Sequence, residues 1–257
     1  MLDREKVNSY LQNLPSLKPD EPFRFQCHPQ IACFNLCCSD LDLILHPYDV
    51  LRLRRALQIT SREFLLDYTE VETTPGNGFP QVSLRMREDE KKTCPFISPT
   101  GCLVYKDRPG ACRSYPLGRG ASLNPDGSVQ VQYVLIQEDH CQGFLEEPEW
   151  TVESWIKDQD LAQYFTFNDK HLLLVSQWNQ KRRAVQREQF RLILLGLYCG
   201  DEFGEYIRKR GLLESFQVPA LTKEAIYEDE SQRLLYAMEW IEKVLLTDSC
   251  SYKQGCK

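Results

Sequence analysis

The spacing of apolar residues divides the chain into an irregular front part and a helical rear part. After residue 147, apolar side chains recur at three- and four-residue intervals, which predicts helices over residues 149–163, 168–198, 201–209 and 222–246. Asn168 and Thr222 are the predicted N-caps, and Gly200 and Gly211 the predicted stops. We therefore expect two domains, a first one over residues 1–147 and a helical C-terminal region over residues 148–257.

The front part combines short helices with strands. A helix over residues 7–14 is predicted to end at Pro15, and a second begins at Pro47, where proline costs no hydrogen bond. Thr60 and Glu63 have the spacing of a capping box and predict a third helix. Residues 79–86 and 128–136 partly alternate and are bounded by turn residues, which predicts two strands that pair as a small sheet. The predicted fold class is α+β.

The cysteines are concentrated in the front part. Eight of the eleven lie by residue 141: Cys27, Cys33, Cys37, Cys38, Cys94, Cys102, Cys112 and Cys141. The N-terminus lacks the apolar core of a secretory signal, so we expect a cytoplasmic protein in which disulfides would not persist. Metal ligation then becomes the leading explanation of the cysteines.

Charge and hydropathy narrow the range of partners. The net charge is -6, and the longest apolar runs are far shorter than a bilayer span. We expect no membrane segment. Nucleic acid is an unlikely partner, because phosphate contacts need a basic face.

The spacing of the eight thiols favours two four-ligand sites, or one cluster with spare redox thiols. Thiolates select zinc, copper(I) or iron–sulfur clusters. Side chains of adjacent residues usually diverge, so Cys37 and Cys38 could serve different sites. The sequence lacks paired C-x2-C knuckles, and Cys94-Pro95 is similar to the Cys-Pro of bacterial ferredoxins, which favours a [4Fe–4S] cluster over zinc.

These residues resemble the cysteine-cluster, or CxxCxxCC-type, family described as zinc- or iron-chelating and often as iron–sulfur cluster-containing. The resemblance lies in the opening Cys27…Cys33…Cys37-Cys38 and in the block Cys94-Pro95-Phe96…Cys102-Leu103-Val104-Tyr105-Lys106-Asp107-Arg108-Pro109-Gly110-Ala111-Cys112-Arg113-Ser114-Tyr115-Pro116. It implies cysteine ligation of a metal or cluster. The gap from Cys27 to Cys33 is longer than is common in the family. A group of flagellin lysine methylases has a similar cysteine block.

Several other residues are candidates beside the thiols. Arg108 and Arg113 flank Cys112 and could stabilise a negatively charged cluster, although ordinary surface arginines would look the same. His28 and His140 each adjoin a cysteine and could replace a thiolate. Two further candidates lie outside the cysteine block. One is the C-terminal pair Cys250 and Cys256. The other is a basic stripe that could dock an acidic partner or be a solvated helix face: Lys181, Arg182, Arg183, Arg187 and Arg191.

The leading functional hypothesis is a metal-binding protein that holds one or two iron–sulfur clusters, or zinc, and acts as a redox or interaction module. Its protein partner would bind through the helical C-terminal region. One alternative is a protein-modifying enzyme similar to a lysine methylase, although no glycine-rich turn for an adenosyl cofactor is present. The other is a carrier of zinc or iron.

Overall fold

A computed structural model describes residues 14–181 and 184–246. The strands are β1 Phe23–Arg24, β2 Ile44–Leu45, β3 Thr69–Thr73, β4 Pro80–Leu84, β5 Ile97–Ser98, β6 Gly101–Cys102, β7 Leu117–Leu123, β8 Val129–Leu135 and β9 Glu149–Trp150. The α-helices are α1 Pro47–Leu57, α2 Ser61–Tyr68, α3 Gly110–Ser114, α4 Val152–Asp158, α5 Ala162–Gln180, α6 Arg187–Tyr198, α7 Gly200–Arg210, α8 Leu212–Ser215, α9 Ala220–Glu228 and α10 Glu230–Ile241. The predicted α+β class with a mostly helical C-terminal part is confirmed.

Shorter helical turns complete the described chain. Three are 3₁₀ turns, at Leu36–Cys38, Tyr105–Asp107 and Gly143–Leu145, and a π-helical turn follows α10 at Glu242–Leu246. None of the helices in the described ranges is long and apolar enough to cross a membrane.

Contacts group the chain into two compact units that alternate along the sequence. The first unit comprises Met1–Leu43 and Leu84–Thr166, and the second comprises Ile44–Ser83 and Phe167–Lys257. This grouping differs from the single boundary predicted near residue 147, because α1 and α2 pack with helices α6, α7 and α10. The middle of the predicted cysteine domain is thus built into the helical unit.

The first unit has small antiparallel sheets around an aromatic core. β1 pairs with β9, β5 with β6, and β7 with β8. The core consists of buried residues from several of these elements: Leu17, Phe23, Phe25, Leu117, Val152, Trp155 and Leu161. Phe25 meets Tyr115, Phe144 and Trp155 edge-on at centroid distances of 5.4–5.6 Å. Cys141 is among the partly buried residues that pack against this core.

The second unit packs helices on a three-stranded sheet in the order β2-β4-β3. Trp178, Phe64 and Phe203 are fully buried in its core. A partly buried acidic side chain links α1 to α10, because Glu230 accepts hydrogen bonds from Arg54 and, at 2.7 Å, from Arg55 Nε. Cys199 is buried here, as its apolar sequence context predicts.

Local sequence signals at three helix ends are confirmed. Pro47 is the first residue of α1. The Thr60 hydroxyl accepts the amide of Glu63 at 3.2 Å, and the Glu63 carboxylate accepts the amide of Thr60 at 2.8 Å, which completes the capping box of α2. Gly211 ends α7 with φ 56°, a left-handed conformation that glycine adopts without strain.

The predicted pairing of the two strands is wrong. β4 and β8 form within the predicted segments 79–86 and 128–136, but β4 lies between β2 and β3, whereas β8 pairs with β7. The turn between β7 and β8 explains this choice, because Asp126 Oδ1 accepts the amide of Ser128 at 2.9 Å and Gly127 has φ 84°. A tight turn brings β7 and β8 together at little entropic cost.

Several helix predictions are also wrong. The helix predicted over residues 149–163 spans α4 and the start of α5, and the one predicted over residues 222–246 is divided, since α9 ends at Glu228 and α10 begins at Glu230. The helix predicted over residues 168–198 is divided, since α5 ends at Gln180 and α6 begins at Arg187. Asn168 and Thr222 lie inside α5 and α9 and are not N-caps, and Gly200 begins α7. Apolar periodicity continues through such a break because both helices bury a face, so periodicity alone does not locate it.

Some predictions fall on parts of the chain that the structure does not describe. The helix predicted over residues 7–14 lies almost entirely outside the described residues, as do Arg182, Arg183, Cys250 and Cys256. Of the predicted basic stripe, Arg187 and Arg191 lie on α6, while Lys181 precedes it.

Two histidines meet inside the second unit. Nδ1 of His46 and Nδ1 of His171 lie 3.4 Å apart, and Nε2 of His171 is buried with no hydrogen-bond partner in the described residues. Only one of the two Nδ1 atoms can carry the proton of this contact. Burial, together with the charge of His46, lowers the pKa of His171 to about 3. The folded protein therefore keeps His171 neutral under conditions in which the unfolded chain protonates it.

We expect the free energy of unfolding to decrease as the pH falls below about 6.5, because the unfolded chain then binds a proton that folded His171 does not. The contribution of His171 should be about 1 kcal/mol between roughly pH 7 and pH 5.5, and should grow toward pH 3. Urea unfolding of the wild type and His171→Gln across this range measures it.

The free energy of unfolding should depend more steeply on pH in the wild type than in His171→Gln. This difference isolates the contribution of His171, because acid-induced loss of metal affects both proteins. His140→Gln is the matched control, because His140 is exposed. Equal pH dependence of wild type and His171→Gln would rule out the contribution of His171.

Candidate metal centre

The pairing of β1 with β9 places the first predicted ligand near the last. Beyond β1, the Phe25 amide donates to the Pro148 carbonyl at 3.0 Å, and the Gln26 amide donates to the Gly143 carbonyl at 3.0 Å. Cys27 follows directly. The loop after Cys141 then turns back, so that the Gln142 amide donates to the Cys33 sulfur at 3.2 Å. Cys33 is buried, whereas Cys27 is exposed and Cys141 is half-buried.

The adjacent cysteines lie in the 3₁₀ turn Leu36–Cys38. Asn35 enters this turn with φ 71°, a left-handed conformation that asparagine adopts more readily than most residues. The Cys94 amide donates to the Cys38 carbonyl at 2.8 Å, and an isolated antiparallel bridge joins Ser39 to Thr93. These contacts hold the end of the first cysteine segment against the start of the second.

A small hairpin presents the next two cysteines. Cys94 precedes β5 and Cys102 ends β6, where it pairs with Ile97. The amide of Phe96 donates to the Cys94 sulfur, and the amide of Val104 donates to the Cys102 sulfur. In each case the donor is two residues after the cysteine. Amide donors aimed at sulfur stabilise the thiolate form, which is the form that binds metal.

Glycine at the hairpin turn is required by both conformation and space. Gly101 has φ 118°, and a Cβ atom there would lie 3.2 Å from Cζ of Phe34. Asn35 Nδ2 also donates to the Ser98 carbonyl at 3.0 Å. The hairpin therefore packs closely on the segment that carries Cys33, Cys37 and Cys38.

Cys112 lies on α3 and is exposed. The next residue, Arg113, is buried, and its guanidinium donates to the Gln159 carbonyl at 2.7 Å and to the Lys106 carbonyl. Arg113 is thus no ordinary surface arginine, and its contacts fix the helix that carries Cys112. Stabilisation of a bound cluster by Arg113 stays a prediction.

Arg108 contributes positive charge near the thiols. Its charge lowers the pKa of Cys27 and of Cys102 against larger effects that raise them. The guanidinium lies 3.9 Å from the centre of the Tyr105 ring and donates to the Tyr105 carbonyl at 2.6 Å. Arg108 can therefore offset negative charge on bound thiolates, as its sequence position suggests.

The thiols influence one another across the two cysteine groups of the sequence. The charges of Cys37, Cys33 and Cys141 raise the pKa of Cys27. In the same way, Cys37, Cys94 and Cys112 raise the pKa of Cys38. The charge of Cys102 likewise raises the pKa of Cys94. All eight thus form one connected thiol cluster in the first unit, and Cys141 lies with the first sequence group.

Burial and mutual repulsion oppose ionisation of most of these thiols. Partial desolvation, followed by the charges of Cys37, Cys33 and Cys141, raises the pKa of Cys27 to about 11. Burial also raises the pKa of Cys94 and of Cys102. So many thiolates cannot form together without a cation to offset their charge.

Cys37 behaves differently because the neighbouring thiol supports its charge. A hydrogen bond from Cys38 lowers the pKa of Cys37 to about 7, and the same contact raises the pKa of Cys38 well above its usual range. Cys37 is therefore the thiol of this pair that ionises first near neutral pH.

The donor set fits a soft metal ion or an iron–sulfur cluster, because it combines thiols with amide donors to sulfur. In the described residues, no three His, Cys, Asp or Glu side chains already surround a single point as metal ligands would. The thiols would need side-chain rotations to close around an ion, so binding and local ordering would be coupled.

The neighbouring histidines are engaged elsewhere or exposed. His28 Nε2 lies 3.3 Å from Glu146 Oε2, and its Nδ1 lies 2.9 Å from Gln30 Oε1. His140 is exposed. These contacts favour thiols over imidazole as the ligands.

Three contacts with the thiols were not predicted from the sequence. Arg87 lowers the pKa of Cys94 and donates to the Pro95 carbonyl at 2.7 Å. The Gln142 amide bonds the Cys33 sulfur, and the Tyr115 hydroxyl shares a hydrogen bond with the Cys141 thiol. No local pattern marks Arg87 or Gln142, because each reaches its cysteine through tertiary contact.

Comparison with known proteins agrees with this arrangement. No curated protein and no solved structure matches the chain. Residues 26–142 match the family model CxxCxxCC, described as a "putative zinc- or iron-chelating domain", and this range contains all eight clustered cysteines. Over these residues, a little under half of its length, the chain is thus similar to a family described as zinc- or iron-chelating, which supports metal binding by the cysteines.

Proposed function

We propose that the thiol cluster holds two [4Fe–4S] clusters and that the protein acts as a redox or interaction module. The observation that supports this most is the convergence of eight thiols with amide donors to the sulfurs of Cys33, Cys94 and Cys102. Hydrogen bonds to sulfur and net charge are the means by which proteins adjust the potential of such clusters.

The electrostatic neighbours suggest how the ligands divide. One set is Cys27, Cys33, Cys37 and Cys141, in which the charges of the other three raise the pKa of Cys27. The other set is Cys38, Cys94, Cys102 and Cys112, in which the charges of Cys94 and Cys112 raise the pKa of Cys38, and that of Cys102 raises the pKa of Cys94. Cys37 also raises the pKa of Cys38, Cys94 and Cys102, so it lies beside both sets. Each set has the four thiolates that a cubane cluster requires. The adjacent Cys37 and Cys38 belong to different sets, as divergence of neighbouring side chains suggests.

The chain's own residues would control charge and solvent around such clusters. Arg108 and Arg87 supply positive charge near the thiols, and the amides of Gln142, Phe96 and Val104 support individual sulfurs. A bound [4Fe–4S] cluster would supply one-electron transfer.

Exposed apolar residues beside the ligands support an interaction role. Leu36 and Leu103, each next to a proposed ligand, are 53% and 69% exposed. Such residues commonly mark a surface that a partner covers.

Zinc bound by the same sets is the second candidate. Cys27, Cys37 and Cys112 are exposed, and exposure would allow the metal exchange that a carrier requires.

Metal analysis of protein purified without oxygen distinguishes these candidates. We expect a brown protein with about eight iron and about eight sulfide per chain. A colourless protein with about two zinc ions would contradict the iron–sulfur assignment and support zinc. Finding none of these elements would refute metal binding altogether.

Cysteine substitutions test the division of ligands. Cys38→Ser and Cys141→Ser should each remove about half of the bound metal, and the double variant should remove nearly all, because each set needs four thiolates. The measurement is the metal content per chain of each variant, with circular dichroism as a separate check that the variant is folded.

Cys199→Ser is the matched control, since Cys199 is buried in the second unit and should keep full metal content. If either single substitution released all the metal, the eight thiols would form one shared site and the two-site assignment would be wrong.

A further inference from the structure

The second unit carries an open groove at the start of α6. Its volume is about 470 Å³, and its lining comprises Thr73, Gly78, Val185, Arg187, Phe190 and Arg191. Thr73 ends the edge strand β3, and Gly78 lies in the turn before β4. The groove lies in a different compact unit from the thiol cluster and involves none of its residues.

Close backbone contact shapes one wall of this groove. The Val185 amide donates to the Asn77 carbonyl at 2.9 Å. Gly78 has φ 70°, and a Cβ atom there would lie 3.3 Å from the Val185 nitrogen. Glycine at position 78 thus lets the segment before α6 lie directly on the β3–β4 turn.

Positive charge is concentrated along the groove. Arg187 and Arg191 are four residues apart on α6 and therefore lie on one face of the helix. Both are exposed, and Arg187 forms no ion pair within the described part of the chain. The N-terminal end of α6 adds the positive end of the helix dipole.

One carboxylate balances only part of this charge. Arg191 Nη1 lies 3.0 Å from Glu188 Oε1, with side chains 59% and 69% exposed, so the pair is weak and the guanidinium keeps further donors. This local charge occurs in a chain of net charge -6, so it favours an anionic partner at this place.

The apolar residues that line the groove indicate which kind of anionic partner fits it. Phe190 and Val185 are half-buried and give the groove an apolar part between the arginines. A carboxylate-bearing peptide with interspersed apolar side chains matches both features, since guanidinium groups bind carboxylates bidentately. Two exposed arginines offer few phosphate contacts, whereas a nucleic-acid backbone carries a denser charge than a short acidic peptide and its binding depends on many such contacts.

We propose that this groove binds an acidic peptide segment of a partner protein, with Arg187 and Arg191 contacting its carboxylates and Phe190 its apolar side chains. The groove is thus a docking site that brings a partner to the metal-binding protein. The inference does not depend on which metal the thiol cluster holds.

Fluorescence anisotropy with the full-length, metal-loaded protein tests the proposal. The probe is a fluorescein-labelled peptide of about ten residues with alternating Glu and Leu, a length that an open groove of this volume can contact in part. It should bind more tightly than a Lys and Leu peptide of equal length, and its affinity should fall as sodium chloride rises from about 50 to about 300 mM. R187Q/R191Q should weaken binding about tenfold or more, because both carboxylate contacts are lost.

Arg208→Gln is the matched control, because Arg208 is also exposed on a helix and lies 3.5 Å from the glutamate three residues before it, Glu205. It should leave binding unchanged. Phe190→Ala should weaken the Glu and Leu peptide but change little for a Glu and Ser peptide. Metal content should be the same in all these variants, which separates this test from that of the thiol cluster.

Three outcomes would overturn the proposal. They are equal binding of the Glu and Lys peptides, no loss of affinity in R187Q/R191Q, and tighter binding of a single-stranded oligonucleotide that is lost in that variant. The last result would assign the groove to nucleic acid.

Discussion

The contact between β1 and β9 is the constraint on which the cysteine region depends. It joins residues 125 apart in sequence, such as Arg24 and Glu149. Closing a loop of that length costs about 4 kcal/mol in chain entropy. A two-residue ladder cannot offset this cost by itself. The buried rings of Phe23, Phe25 and Trp155 can, because each buried aromatic side chain contributes about 2 kcal/mol or more.

That closure explains why thiols from distant parts of the chain face one another. Cys27 follows β1, and Cys141 precedes β9, so the pairing brings both to one place. The second junction, between the Cys94 amide and the Cys38 carbonyl, does the same for the inner cysteines. Burial raises the pKa of Cys27 most, and the charges of Cys37, Cys33 and Cys141 raise it further, so the thiols are close enough to oppose one another's ionisation. A metal or cluster would relieve that repulsion, so the fold creates the electrostatic demand that metal binding satisfies.

The two surfaces to which we assign functions belong to separate compact units. The thiol cluster lies in the first unit, and the arginine-lined groove lies in the second. The segment Ile44–Ser83 supplies β2, α1, α2, β3 and nearly all of β4 to the second unit, although it lies between the two cysteine groups in sequence. A partner bound at the groove would therefore contact a unit whose chain connects directly to both cysteine segments.

The sequence by itself determined the features that depend on neighbouring residues. Local spacing gives the capping box of Thr60 and Glu63, the start of α1 at Pro47, the stop at Gly211, and the similarity of the cysteine block to a metal-chelating family. Only the tertiary structure decided which strands pair, where the helix predicted over residues 168–198 breaks, and which thiols are neighbours. Each of these depends on contacts between residues distant in sequence, such as the Gln142 amide with the Cys33 sulfur or the Cys94 amide with the Cys38 carbonyl, and no local pattern records them. The cysteines were visible in the sequence, but their grouping was set by chain closure, because loop entropy and aromatic burial decide which segments meet.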